Sequence, residues 1–199
     1  MKTRFAAAAA LPLAAVLALA GCSGTTGSGS MPGMDHGSGP MATATTAAEA
    51  SETDIMFVTM MIPHHEQAIE MSDTVLAKAG VDDRVTALAE QIKAAQGPEI
   101  ETMKGWLSDW GVSMSGGMSG MDHGGMMSES DMQELEDAEG GDAARLYLEQ
   151  MIEHHEGAVD MAQSEIDDGQ NSEVIDLARS IVDSQTAEIA TMKDLLASP

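Results

Sequence analysis

The chain of 199 residues has a single cysteine, Cys22, so no internal disulfide can form. Basic residues are scarce. Nine Lys and Arg stand against 33 Asp and Glu, for a formal charge of −24. That balance argues against nucleic acid as a partner, because binding it needs a basic footprint. It favours cations weakly, since most of these carboxylates are accounted for by a solvated acidic coat. No stretch shows the sustained alternation of a half-buried strand. The apolar run Phe5 to Ala20 is short for a membrane span and follows Lys2 and Arg4, the pattern of an export leader.

The leader ends in Leu19-Ala20-Gly21-Cys22, which looks like a bacterial lipobox with Cys22 as the lipidated residue. That use of the sole thiol leaves none for nucleophilic catalysis. Residues 1–21 are therefore read as a lipoprotein signal peptide. Residues 22–46, rich in Gly, Ser and Met, follow as a disordered tether. The location expected is extracytoplasmic, with the chain lipid-anchored to a bacterial membrane at the cell surface or in the periplasm.

Residues 47–199 read as a duplicated helical domain. Its halves are 47–111 and 130–199, joined by a Met/Gly-rich linker at 112–129. In the first half Val58, Met61, Ile62, His65, Ile69 and Leu76 follow one helical face, and Gly80 marks a stop. A second helix, from about Asp83 to Trp110, carries Val85, Leu88, Ile92, Ile100, Met103 and Leu107. Gly97-Pro98 should kink or break it, because proline removes a backbone donor and clashes with the preceding turn. The second half repeats the plan, with helices at Asp142–Asp167 and Ser172–Ala197 around the turn Gly169-Gln170-Asn171. Leu88 aligns with Leu177, Gln96 with Gln185, Glu99 with Glu188, and Met103 with Met192. Two such hairpins predict an all-α, four-helix bundle with a pseudo-twofold axis.

What the chain has in abundance is methionine, 18 residues of it, arranged around six histidines. The string Met61-Ile62-Pro63-His64-His65-Glu66-Gln67-Ala68 returns as Met151-Ile152-Glu153-His154-His155-Glu156-Gly157-Ala158. The remaining histidines, His36 and His123, sit in a second repeated string, Gly-Met-Asp-His-Gly. Every histidine thus lies near methionine and inside a repeat.

With about 100° between successive residues, His65 and His155 point into the bundle and His64 and His154 fall on its flanks. The flank of His64 is shared with Met60 and Met71, and that of His154 with Met161. Glu99 and Glu188 fall on inward faces, where a carboxylate is costly unless paired. They are expected to meet His65 and His155. Such a set could bind metal or simply lock the core by hydrogen bonding. The segments around Met34 and His36, and around Met114, Met118, Met121, His123, Met126 and Met127, hold thioethers with almost no other large apolar residue. They have no core to fill. Thioether and imidazole ligands together suit Cu(I) and its mimic Ag(I) over Mg, Ca or Mn.

At the paired Met-Ile-x-His-His-Glu-x-Ala and Gln-x-x-Glu-Ile-x-x-Met strings, residues 50–199 resemble the bacterial "domain of unknown function 305" family. That resemblance implies a ferritin-like bundle and, as in some members, copper and silver binding through Met and His. The matching positions are His64, His65, His154, His155, Met61, Met71, Met151 and Met161. Gln150 departs from the pattern, standing where the first half has Met60. The Met-Asp-His-Gly strings separately look like segments of bacterial copper-resistance proteins.

The function expected is a non-enzymatic copper(I)/silver binder serving buffering, tolerance or hand-off, with a copper transporter or chaperone as partner. One alternative is a ferritin-like di-metal enzyme. That class needs Glu-x-x-His on two helices, whereas Met61 and Met151 stand three residues before His64 and His154. A His-Glu-x-x-His zinc protease would need histidine at Ile69 and Val159. The other alternative is a surface interaction module indifferent to metal.

Overall fold

A computed structural model describes residues 50–113 and 124–198. Among them are five helices and no strand: α1 (Glu52–Leu76), α2 (Asp83–Asp109), α3 (Glu129–Asp137), α4 (Gly140–Asp168) and α5 (Ser172–Ala197). Helices α1 and α2 form one hairpin and α4 and α5 the other; the two meet chiefly through α1 and α4. No described helix is long and apolar enough to cross a membrane.

The helix starts are written in short polar residues. Ser51 and Asp54 form a capping box at α1, Asp82 caps α2, and the Asn171 side chain accepts from the Glu173 and Val174 amides at α5. Each cap satisfies backbone donors that the first helical turn cannot. Asp54 does more than cap. Its Oδ1 also accepts from the backbone amides of Gln170 and Asn171, at 3.0 Å each, tying the start of α1 to the α4–α5 turn.

Two features of the structure differ from the sequence reading. Helix α2 is not broken at Gly97-Pro98 but runs continuously through both. Proline costs a helix the hydrogen bond to the carbonyl four residues back. Here that carbonyl belongs to Ala94, and Ala94 and Pro98 both lie on an exposed face, where water can take its place. The second difference is α3, which lies at the start of the second half, where no helix was assigned. Ser128 and Asp131 give it a capping box, and Leu135 is fully buried beneath it. Its apolar content, Met132 and Leu135, was too thin to show a period.

The core is divided in two. One cluster gathers Phe57, Val58, Met61 and Ile62 of α1 with Ile100, Met103 and Leu107 of α2, together with residues of α4 and α5. The other gathers Ala68, Met71 and Val75 of α1 with Leu88 and Ile92 of α2, Leu135 of α3, and Tyr147 and Met151 of α4. Burying each of the larger side chains stabilises the bundle by roughly 1.5–3 kcal/mol. Along every long helix, polar residues separate the two sets. They are His64 and His65 on α1, Gln96 and Glu99 on α2, His154 and His155 on α4, and Gln185 and Glu188 on α5. A polar waist therefore crosses the bundle between two apolar ends.

Candidate metal centre

At the waist, His65 Nε2 lies 2.9 Å from Glu99 Oε2, and His155 Nε2 lies 2.8 Å from Glu188 Oε2. These are the pairings that the inward faces predicted. An ionised carboxylate only accepts, so in the neutral ring Nε2 carries the proton and Nδ1 presents its lone pair. Both Nδ1 atoms are buried and have no hydrogen-bond partner among the described residues. A carboxylate on one ring nitrogen and an open lone pair on the other is the arrangement by which proteins orient a metal-binding histidine.

His64 and His154 are not on the flanks. They are 0% and 1% exposed, and their ring centroids are 3.7 Å apart with planes inclined at 42°. A helical wheel treats each helix alone, but α1 and α4 pack directly together, so a residue beside the apolar stripe still faces the other helix. Burial holds the His154 pKa well below the ordinary histidine value, with the like charges of His64, His155 and His65 adding to the effect. His154 is thus a neutral imidazole at physiological pH, as metal ligation requires.

The methionines are regrouped relative to the expected sets. Met61 and Met151 are fully buried, and each lies three and four residues before its histidine pair, on the same helical face. Met71 joins Met151 in one core cluster, of which Met60 on the same helix is not a member. Met60 instead lines a surface cleft with Met161. Met126 is half-buried. Met127 packs into the core, clamped by Gln67 through two hydrogen bonds of 2.8 and 2.9 Å to its backbone. Cys22, Met34, His36, Met114, Met118, Met121 and His123 lie outside the described residues.

Gln96 and Gln185 are members of the waist that the sequence reading left unassigned. Each is 2% exposed. Both atoms of the Gln96 amide, and the Gln185 oxygen, have no hydrogen-bond partner among the described residues. The signal was present, since the two align across the repeat three residues before Glu99 and Glu188.

Among the described residues no group of three or more His, Cys, Asp or Glu is placed to hold a metal ion. The buried thioethers of Met61 and Met151 lie on the histidine-bearing helices, and imidazole with thioether is a donor set that suits a soft monovalent ion better than a hard divalent one.

The model of the family called Domain of unknown function (DUF305) matches residues 54–196. The chain belongs to the DUF305 family. Solved structures agree with this assignment. A DUF305 fragment from Deinococcus radiodurans is 32% identical, with a TM-score of 0.69, and the match covers 75% of this chain and 99% of that one. A DUF305 protein from Streptomyces coelicolor, described as a candidate secreted protein, is 36% identical over 76% of this chain and 93% of its own, with a TM-score of 0.68. CopM in a Cu(I)-bound form is 34% identical over 73% of this chain and 96% of its own, with a TM-score of 0.62. CopM has also been solved in Cu(II)-bound and Ag-bound forms. No curated protein matches this DUF305 chain significantly.

Proposed function

We propose that this DUF305 protein is a non-enzymatic binder of Cu(I) outside the cytoplasm. It holds the ion through imidazole and thioether groups and buffers it or passes it to a transporter or chaperone. Ag(I) binds as a mimic. The observation that carries this reading is the duplicated His65–Glu99 and His155–Glu188 pair, each leaving a buried Nδ1 without a partner. Buried polar atoms are generally paired, so two lone pairs left open at equivalent positions favour a partner such as a bound ion. CopM, which resembles this chain over most of its length, is known in copper-bound and silver-bound forms, and that likeness supports the same cargo here. The export leader, the lipobox-like Cys22 and the likeness to the Streptomyces protein support an extracytoplasmic, lipid-anchored location.

The test is titration of the mature chain with Cu(I) under a competing chromophoric chelator in reductant, with Fe(II) and Mn(II) in parallel. Cu(I) is expected to bind at more than one equivalent and to be displaced by Ag(I), while Fe(II) and Mn(II) leave the chelator signal unchanged. Tight Fe(II) binding without Cu(I) binding would favour the di-metal enzyme. Indifference to every ion would leave an interaction module.

A further inference from the structure

The pseudo-twofold relation between the halves is broken at one place on the α1–α4 face. Met56, Met60, Met161 and Glu165 correspond to Leu146, Gln150, Met71 and Val75 in the repeat. The second set lies under α3. Gln150 Nε2 donates to the Asp131 carbonyl at 2.9 Å, and Leu146, Met71 and Val75 pack in the cluster that holds Leu135. Among the described residues no helix lies over the first set. It lines an open cleft of about 200 Å³, floored by Phe57.

The residues in the cleft are not those of a covered core. Met56 and Met60 are one helical turn apart on α1, and Met161 and Glu165 are one turn apart on α4, so each pair projects from one face of its helix. Met56 is 47% exposed, whereas its counterpart Leu146 is partly buried against the core. Three thioethers converge where the duplicated position keeps one. An aliphatic side chain would fill this space equally well. Sulfur adds the ability to ligate a soft monovalent ion, and three such donors suffice for Cu(I) or Ag(I) without any carboxylate. Methionine has enough rotatable bonds to close over an ion from an exposed position.

We infer that Met56, Met60 and Met161 form a soft-metal site in the α1–α4 cleft, separate from the histidine waist. The inference rests on the copper-binding reading of the whole protein, and the site is placed to take the ion from solvent, since Met56 stands at its mouth.

The experiment uses the mature full chain labelled with ¹³C at the methionine methyl groups and titrated with Ag(I), which is diamagnetic and does not change valence. The signals are assigned by single Met→Leu substitutions. The expected result is that the Met56, Met60 and Met161 methyls shift together within one equivalent. The triple variant Met56→Leu/Met60→Leu/Met161→Leu should bind one equivalent less than the parent while keeping its melting temperature. If the three methyls stay in place while Met61 or Met151 moves, and the triple variant keeps full stoichiometry, the cleft site is overturned and the copper-binding function stands. If no Ag(I) binds at all, both fall. Should the triple variant misfold, the methyl shifts in the parent decide alone.

Discussion

Glu165→Gln should change the pH dependence of stability in a direction fixed by the structure. Glu165 is 1% exposed. Burial and the neighbouring Asp54 carboxylate push its pKa from 4.5 up to about 8. Asp54 itself is held at about 2: burial alone would raise it, but the Asn171 and Ser51 hydrogen bonds outweigh that effect. The pair therefore keeps one proton across the neutral range, and the proton resides on Glu165. Above pH 4.5 the unfolded chain has released it while the folded chain retains it until about pH 8, so folding takes up a proton. The stabilisation is complete below pH 4.5 and declines as pH rises, by about 1.4 kcal/mol per pH unit. From pH 5 to 8 the loss reaches about 4 kcal/mol as an upper limit, or on the order of 8–16 °C in melting temperature for a domain of this size. The Asp54 contribution has the opposite sign, and its window lies below pH 4. Glutamine cannot ionise and keeps the shape of the side chain. In urea unfolding of chelator-treated protein, followed by circular dichroism, the variant should match the parent near pH 5. It should exceed the parent by several kcal/mol near pH 8. Other carboxylates cancel in this difference. A difference that does not change with pH would refute the retention of a proton on Glu165.

Two further outcomes follow from named contacts. A Cβ on Gly157 would collide with the Gly124 carbonyl oxygen and lie 2.7 Å from the Gly125 Cα, both backbone atoms that cannot rotate away. Gly157→Ala should cost about 1–3 kcal/mol and speed proteolysis near residues 124–127, and unchanged stability with unchanged cleavage would argue against that close approach. Glu99→Gln and Glu188→Gln should each weaken Cu(I) binding by about 10–100-fold if the carboxylates orient metal-bearing histidines. Equal affinity in a chelator competition would leave them a structural role only.

The hairpins and the inward faces of His65, His155, Glu99 and Glu188 were legible because the duplication repeats a clean helical period. The features missed share a cause: each depends on which helices touch. The meeting of His64 with His154 is decided by the α1–α4 contact, which no single wheel contains. Met60 and Met161 share a cleft for the same reason, though they come from different halves. Helix α3 has too few apolar residues to announce itself, and its place is set by tertiary contacts: its own Leu135 enters the core and Gln150 donates to its Asp131 carbonyl. Asp54 reads as an ordinary cap until the α4–α5 turn arrives from more than a hundred residues away. Pro98 is accommodated within α2 with both it and Ala94 on an exposed face, which the sequence does not reveal.

X-ray absorption at the copper K edge, on mature protein loaded anaerobically with Cu(I), tests most directly whether thioether and imidazole together hold the ion. A Cu(I) edge with both sulfur and histidine nitrogen in the first shell is predicted, with the nitrogen contribution falling in a His65→Ala/His155→Ala variant. A shell of nitrogen and oxygen alone, or protein that emerges from loading without copper, would contradict the account.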